Sequence, residues 1–386
     1  MATIVLPMRE EEDLADAIAD AVRAGDKLAI TGGGSKAGLG AEVEAKTVDM
    51  SGFAGVVDYD PAELVLTVRA GTPLADVEAL VAGERQMLAF EPFDHGPVFG
   101  GETGAATIGG VVAAAVSGSR RVSAGGARDH VLGFRAVSGR SEAFVAGAKV
   151  VKNVTGYDLP KLVAGSWGRL CAVTELSLKV LPRPEMSTTY FVIGLDAVRA
   201  VRAMAAAMGS QAEVACAAHS PASSDGDAVT GVRIEGFEPS VRARGEMLDR
   251  LLAQHGRVER AEAAAATEFW AKLRTLTPLP ADDPLWRVNV PPGRGPEIAD
   301  ELGARGARWL MDWAGGLIWL TIDGGAAGEV RAAAARAGGH ATLVRADRAT
   351  RATVRAFHPP ASGLAALEER VRRAFDPAGV FETGRF

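Results

Sequence analysis

Gly100-Gly101-Glu102-Thr103-Gly104-Ala105-Ala106-Thr107-Ile108-Gly109-Gly110-Val111-Val112-Ala113-Ala114-Ala115-Val116-Ser117-Gly118-Ser119 is the stretch on which the fold turns. It is apolar enough to be buried, but each Gly inside a helix costs about 1 kcal/mol relative to Ala. A core helix is therefore disfavoured, and the composition suits backbone packed tightly against something flat. The charge-free part, Thr103 to Ser119, is shorter than the ~20 residues of a membrane span, and Gly, Thr and Ser dilute it.

Upstream, Leu14, Ile18 and Val22 recur four apart and predict a helix over 10–24, stopped by Gly25. Lys27-Leu28-Ala29-Ile30 reads as a short strand running into Thr31-Gly32-Gly33-Gly34-Ser35-Lys36. A second strand spans 64–70 and meets Gly71-Thr72-Pro73, where Thr72 can cap a helix over 74–81 and Pro73 can start it. Downstream lie Lys152-Asn153-Val154-Thr155-Gly156-Tyr157-Asp158-Leu159, the turn Gly165-Ser166-Trp167-Gly168, and a strand over 172–180. Pro182-Arg183-Pro184 breaks the chain, so a first domain is expected over 1–183 and a second over 184–386. Residues 285–344 read strand, helix, strand, strand, helix, strand, the split βαβ order, and 188–254 read as a partial copy of it. The expected class is α+β, with an antiparallel sheet and helices on one face in the second half.

At 386 residues the chain is long enough for two domains, and its 23% charged and 48% apolar content is that of a globular protein. A net charge of −6 without a basic stripe disfavours binding to a nucleic-acid backbone. Cys171 and Cys216 are too few to hold an iron–sulfur cluster, which needs four thiolates. The opening Met1 to Leu6 lacks a basic leader segment and reaches Arg9-Glu10-Glu11 at once, so a soluble cytoplasmic protein is expected.

Clustered Gly after a strand exposes backbone N–H groups that favour phosphate oxygens. The Walker pattern is absent at 32–40, and Gly32, Gly34 and Gly38 are spaced one residue too wide for GxGxxG. Taken alone, the turn could be an ordinary glycine turn.

The succession of segments says more. Gly32 to Lys36, Gly100 to Gly110, Arg128-Asp129-His130-Val131-Leu132-Gly133, Lys152 to Leu159 and Gly165 to Gly168 together resemble the FAD-binding domain of the vanillyl-alcohol-oxidase/PCMH superfamily. The chain is more closely similar to the E-subunit family of bacterial glycolate oxidases. Asp376-Pro377-Ala378-Gly379-Val380-Phe381-Glu382-Thr383-Gly384-Arg385 is similar to that family's closing "FDPxGxFNPGR", and Leu285-Trp286-Arg287-Val288-Asn289-Val290-Pro291-Pro292 to its "WRLSVPP". The resemblance implies a PCMH-type FAD domain followed by a cap of ferredoxin-like units. It implies FAD contacts from Thr31, Gly32, Gly33, Gly34, Ser35 and Lys36 at the pyrophosphate. Gly101, Thr103, Gly104, Ala105, Thr107, Ile108 and Gly110 would lie along the ribityl chain and ring, Val173 at the adenine, and Gly118, Gly125 and Asp129 would complete the set. It also implies two partners, a catalytic FAD subunit and an iron–sulfur subunit, a small 2-hydroxy acid as substrate, and a place peripheral to the inner membrane through that complex.

The departures carry information too. Relatives place Asn and Thr-Asn after Ile-Gly-Gly, where this chain has Val111, Ala114 and Ala115, so polar donors to a flavin are replaced by backbone. No His lies in 31–36, where covalent-flavin members have one, so FAD is expected to be non-covalent. The Gly-His-x-Gly-Asp-Gly-Asn-x-His metal motif of the superfamily's 2-hydroxy-acid dehydrogenases is absent. Its nearest piece is Gly338-Gly339-His340, no His pair stands at metal spacing, and the histidines read as surface or hydrogen-bonded groups. No nucleophile elbow is present, and the catalytic residues stay unassigned. Arg287 beside Trp286 could hold a substrate carboxylate or make a structural ion pair. The Trp-rich second half offers anchors for a partner. Three readings stay open: a flavoprotein subunit of a complex, a stand-alone FAD dehydrogenase, and a flavin-free structural subunit.

Overall fold

The computed structural model describes residues 5–147, 156–223 and 226–386. Three sheets matter for the site. A parallel sheet orders Val5–Pro7, Lys46–Asp49 and Leu28–Thr31, with the first and last joined through the helix Glu11–Ala24. Leu14, Ile18 and Ala21 on that helix are buried, and Gly25 ends it in the left-handed region at φ 71°. A five-stranded antiparallel sheet orders Val56–Asp60, Val65–Arg69, Cys171–Lys179, Val131–Ser138 and Ala143–Gly147. The glycine-rich run 100–119 does form helix, but only over Ile108–Ala113. Thr107 caps it, its Oγ1 accepting from the Gly110 amide at 3.2 Å. The glycines permit the contact that a longer helix would forbid. A Cβ on Gly109 would come 2.7 Å from the Ala70 carbonyl oxygen, to which the Gly109 amide donates at 2.7 Å.

The third sheet has eight strands. Met186–Ile193, Val214–Ser220, Val229–Gly236 and Arg257–Arg260 lie in the order fourth, first, third, second, with the helices Ala197–Met208 and Glu238–Leu252. Leu285–Asn289, Arg308–Asp312, Leu317–Thr321 and His340–Arg345 repeat that order from the opposite edge, with the helices Gly295–Gly303 and Ala327–Arg336. The first unit is thus a complete split βαβ copy rather than a partial one; its fourth strand, Arg257–Arg260, is too charged to carry a strand pattern. The copies meet along their second strands at His219 and Met311.

Alternation along these strands sorts the side chains. Trp286, Val288, Ile318, Leu320 and Leu343 join the helix-side core, with Met204, Leu248, Ile298 and Val330. Leu285, Leu317, Trp319 and Val344 face the other way, onto Leu39 and Val98 of the first half. The helix Ala263–Thr275 also packs on that second face through Trp270 and Leu273, so the helices are not all on one side.

Polar links fasten this face to the first half. Arg120 pairs with Glu235 at 2.6 Å, Arg233 pairs with Glu91 and Glu235, and the Ser119 hydroxyl donates to Asp312 at 2.7 Å. The Trp313 indole donates to the Gly118 carbonyl at 3.0 Å. Trp270, Trp286, Trp313 and Trp319 are buried inside the chain, which corrects their expected role as anchors for a partner. The C-terminal tail returns to the first half: the Leu28 amide donates to Val380, Lys27 donates to the Gly379 carbonyl at 2.6 Å, and Val380 and Phe381 are buried against Leu14 and Ile18. No helix among the described residues is long and apolar enough to cross a membrane.

Candidate cofactor and substrate site

Two adjoining cavities lie where these parts meet. The first is a groove of about 1120 Å³ walled by the loop 31–37, by Thr107, Gly109, Gly110, Ala113 and Ala114, by the segment 166–169 with Cys171 and Val173, and by Phe381, Arg385 and Phe386 of the tail. Its floor is the loop after the strand Leu28–Thr31. Met50 donates its amide to Thr31, Gly34 turns at φ 75°, and Ala37 donates back to Gly34 at 2.9 Å. The amides of Gly33, Gly34 and Ser35 have no partner among the described residues. Three free N–H groups on a glycine turn form an anion nest. Lys36 stands beside them with its amine pushed down to about 8 by burial, an effect Asp94 opposes. The approach of the loop to the opposite wall needs glycine. A Cβ on Gly33 would overlap the Ala105 carbonyl, and one on Gly32 would overlap the Thr107 hydroxyl. A dianionic linker finds donors here, and a flat ring finds Gly and Ala walls, so these residues fit FAD.

Of the residues the sequence pointed to, Thr31, Gly32, Gly33, Gly34, Ser35, Lys36, Thr107, Gly110 and Val173 line this groove. Ala105 contributes its carbonyl to the contact at Gly33, whereas Ile108 is fully buried in the core. Gly101 and Gly104 close the preceding loop, donating to Gly96 and Asp94, with exposed Thr103 between them. Gly118, Gly125 and Asp129 line neither cavity. Gly118 receives the Trp313 indole, and Asp129 accepts the Gly126 amide at 2.8 Å beside Gly125. Lys152 to Thr155 lie outside the described residues, while Asp158 caps the helix Leu159–Val163. The tail residues Phe381, Arg385 and Phe386 carried no local signal for the groove, because they lie 208 or more positions beyond Val173, the last of its other wall residues.

The second cavity, about 1400 Å³, opens from the first at Ala114 and Trp167, which line both. Trp167 is held at φ 57° between Gly165 and Gly168 and packs on Phe357 and Phe386. Arg287, Trp319, His340, Thr342 and Val344 project into the cavity from the sheet, and His95, Phe93 and Ser117 face it from the first half. The register explains the set: Arg287 stands opposite Trp319 on one neighbouring strand and Thr342 on the other. Arg287 has no hydrogen bond or ion pair among the described residues. Its guanidinium lies 5.2 Å and 6.0 Å from the ring centres of Trp313 and Trp319, a cation–π seat. Burial, and then the charge of Arg121, pull its pKa down to about 10. The structural ion pair considered from sequence does not form.

His130, His219 and His358 are hydrogen-bonded and His340 is exposed, as expected, but three of the histidines come together. His95, His340 and His358 line this one cavity. Burial lowers His95 well below its ordinary range, and the charges of Lys36 and Arg287 add to the effect. His340 is lowered by burial, Arg287 and His358, and His358 by burial and Arg331. Burial thus disfavours charge on the three imidazoles, and Arg287 supplies the cavity with a cation that has no ion-pair partner among the described residues, although Glu368 also lines the cavity. No group of three His, Cys, Asp or Glu that could hold a metal occurs among the described residues.

Comparison with known proteins agrees with this geometry. Residues 2–147 match the model of the FAD binding domain family. The chain is 36% identical over 364 residues to glycolate oxidase subunit GlcE of Escherichia coli K12, covering 93% of this chain and 92% of that one. The chain belongs to the GlcE family. Its cofactor is FAD, and it is an FAD-linked oxidoreductase by family. More limited likeness extends to a D-lactate dehydrogenase of Anaerostipes hadrus, 34% identical over 42% of this chain and 33% of that one. It extends also to glycolate oxidase subunit GlcD of Bacillus subtilis, 31% identical over 36% and 28%. Alkyldihydroxyacetonephosphate synthase shares the fold at a TM-score of 0.66 and 15% identity, over 97% of this chain and 76% of its own. GlcE-family membership thus comes with the PCMH-type FAD domain and split βαβ cap expected from the resemblance.

Proposed function

We propose that this chain is the FAD-binding E-type subunit of a complex that oxidises glycolate, or a related small 2-hydroxy acid, to the 2-oxo acid. The observation that supports a small 2-hydroxy acid as substrate is Arg287: an unpaired guanidinium over two indoles, in a cavity that opens onto the FAD groove; the subunit role rests on the likeness to GlcE. FAD, when bound, supplies a two-electron acceptor for the hydride on the carbon bearing the hydroxyl. The chain's own residues hold and orient. Thr31 to Lys36 with Thr107, Gly110 and Val173 hold the cofactor without a covalent bond, and Arg287 takes the substrate carboxylate as a charge-assisted pair. Residues 1–183 serve as the FAD unit and 184–386 as the cap.

Electrons must then leave. Cys171 and Cys216 are buried free thiols, pushed up by burial to about 12 and well above the ordinary range, and two thiols cannot hold a cluster. An iron–sulfur subunit beside a catalytic FAD subunit supplies the outward route, and the assembled complex sits in the cytoplasm against the inner membrane. The formed Arg287 cavity favours a second reading, a stand-alone dehydrogenase with its own substrate site. Purified chain, assayed alone with a dye acceptor across small 2-hydroxy acids and again after co-expression with those partners, separates the two. Little turnover alone and robust turnover in the complex is the expected result. Full turnover by the single chain would overturn the subunit reading.

A further inference from the structure

The same cavity holds a group the function has not yet used. His95 is buried and sits on the FAD-domain wall, across from the sheet that carries Arg287. Its ring stacks on Phe93 with centres 4.5 Å apart and planes 18° from parallel, which fixes its orientation. Nδ1 is sealed from solvent with no well-formed hydrogen bond, and the Phe93 backbone carbonyl acts on the ring as an acceptor. Nε2 has no hydrogen-bond partner among the described residues, and the ring lines the cavity, so Nε2 is the nitrogen free to take a proton. The neighbouring carboxylate, Asp94, is occupied by the amides of Gly96 and Gly104. The other two histidines are placed differently: His358 Nδ1 accepts the Ala341 amide at 3.3 Å, and His340 is exposed at the sheet edge beside Arg287.

We propose that His95 is the catalytic residue that takes the hydroxyl proton of a 2-hydroxy acid whose carboxylate is held by Arg287. This rests on the 2-hydroxy-acid reading above. The O–H bond breaks with its proton going to Nε2 of His95. The C–H bond breaks with its electron pair leaving as hydride to the oxidised flavin, and the C–O bond becomes C=O, giving the 2-oxo acid and reduced flavin. Occupancy and basicity are coupled. With the cavity empty, burial and the charges of Lys36 and Arg287 keep the imidazole unprotonated. A carboxylate on Arg287 neutralises one of those charges and favours the imidazolium.

The experiment uses the FAD-loaded chain by itself, mixed anaerobically with glycolate or D-lactate, so that the flavin whose bleaching is followed near about 450 nm is its own. His95→Gln and His95→Ala should slow bleaching about 10²–10⁴-fold, the usual range for a general base. Flavin content and the affinity for oxalate, read from the flavin band shift, should stay within about threefold. Added imidazole should restore part of the rate to His95→Ala, which a merely structural role would not allow. Bleaching at the parental rate in both variants, or loss of FAD from both, would overturn the role of His95 alone. A parental protein that is not bleached by any 2-hydroxy acid would overturn the underlying reading as well.

Discussion

Gly33→Ala is the smallest change that tests the phosphate loop. The added Cβ would overlap the Ala105 carbonyl oxygen and stand 2.7 Å from its carbon, where an unstrained contact needs about 3.5 Å. The loop cannot keep its place against the opposite wall, and the free amides of Gly33, Gly34 and Ser35 move with it. Loss of two hydrogen bonds to a charged phosphate, at about 1.5–3 kcal/mol each, removes about 3–6 kcal/mol. That weakens FAD binding about 10²–10⁴-fold. Gly33→Asp adds a carboxylate beside the nest and should abolish binding. Gly34→Ala is the control: a Cβ there meets nothing within 4 Å, and only the φ of 75° opposes it, at about 1–2 kcal/mol. The assay is the flavin-to-protein absorbance ratio after gel filtration, with circular dichroism to establish folding. A folded Gly33→Ala protein with parental flavin content would refute the assignment of this loop to the cofactor.

Acid or heat precipitation should release all the flavin to the supernatant, since no His lines the groove and the buried Cys171 thiol is pushed up to about 12; flavin in the washed pellet would contradict this. Asp312, between Ser119 and the Trp313 amide, is pushed up to about 6 by burial. Between the ordinary Asp value of 3.8 and about 6, the native state binds more protons than the unfolded chain, so stability falls as pH rises through that window. Asp312→Asn removes this titration. Its stability relative to the parent should therefore improve from pH 4 to pH 8, by on the order of 3 kcal/mol in urea melts, whereas a difference independent of pH would show that the carboxyl is not perturbed.

Short-range chemistry made much of the fold legible. The helix over 10–24 was readable from Leu14, Ile18 and Val22, and the phosphate loop from glycines that follow a strand. The second split βαβ unit was readable because its strands are apolar enough to alternate. The first unit was only half readable, because its edge strand Arg257–Arg260 pairs on one side only and carries charge on nearly every residue.

The sequence alone determined the class, the order of the Gly turns and the family resemblance, because glycine needs and hydrophobic periods are local properties. Tertiary structure decided which side of the sheet each residue occupies and what it meets there. Arg287 could have been one half of an ion pair or a ligand for an anion. Only the register beside Trp319, with no ion-pair partner among the described residues, leaves it free. His95, His340 and His358 are separated by up to 263 residues and share no spacing, so no motif could join them. They meet because a sheet that repeats one unit twice turns its second face onto the FAD domain. That packing, a long-range consequence of burying both faces of the sheet, makes one cavity from scattered residues.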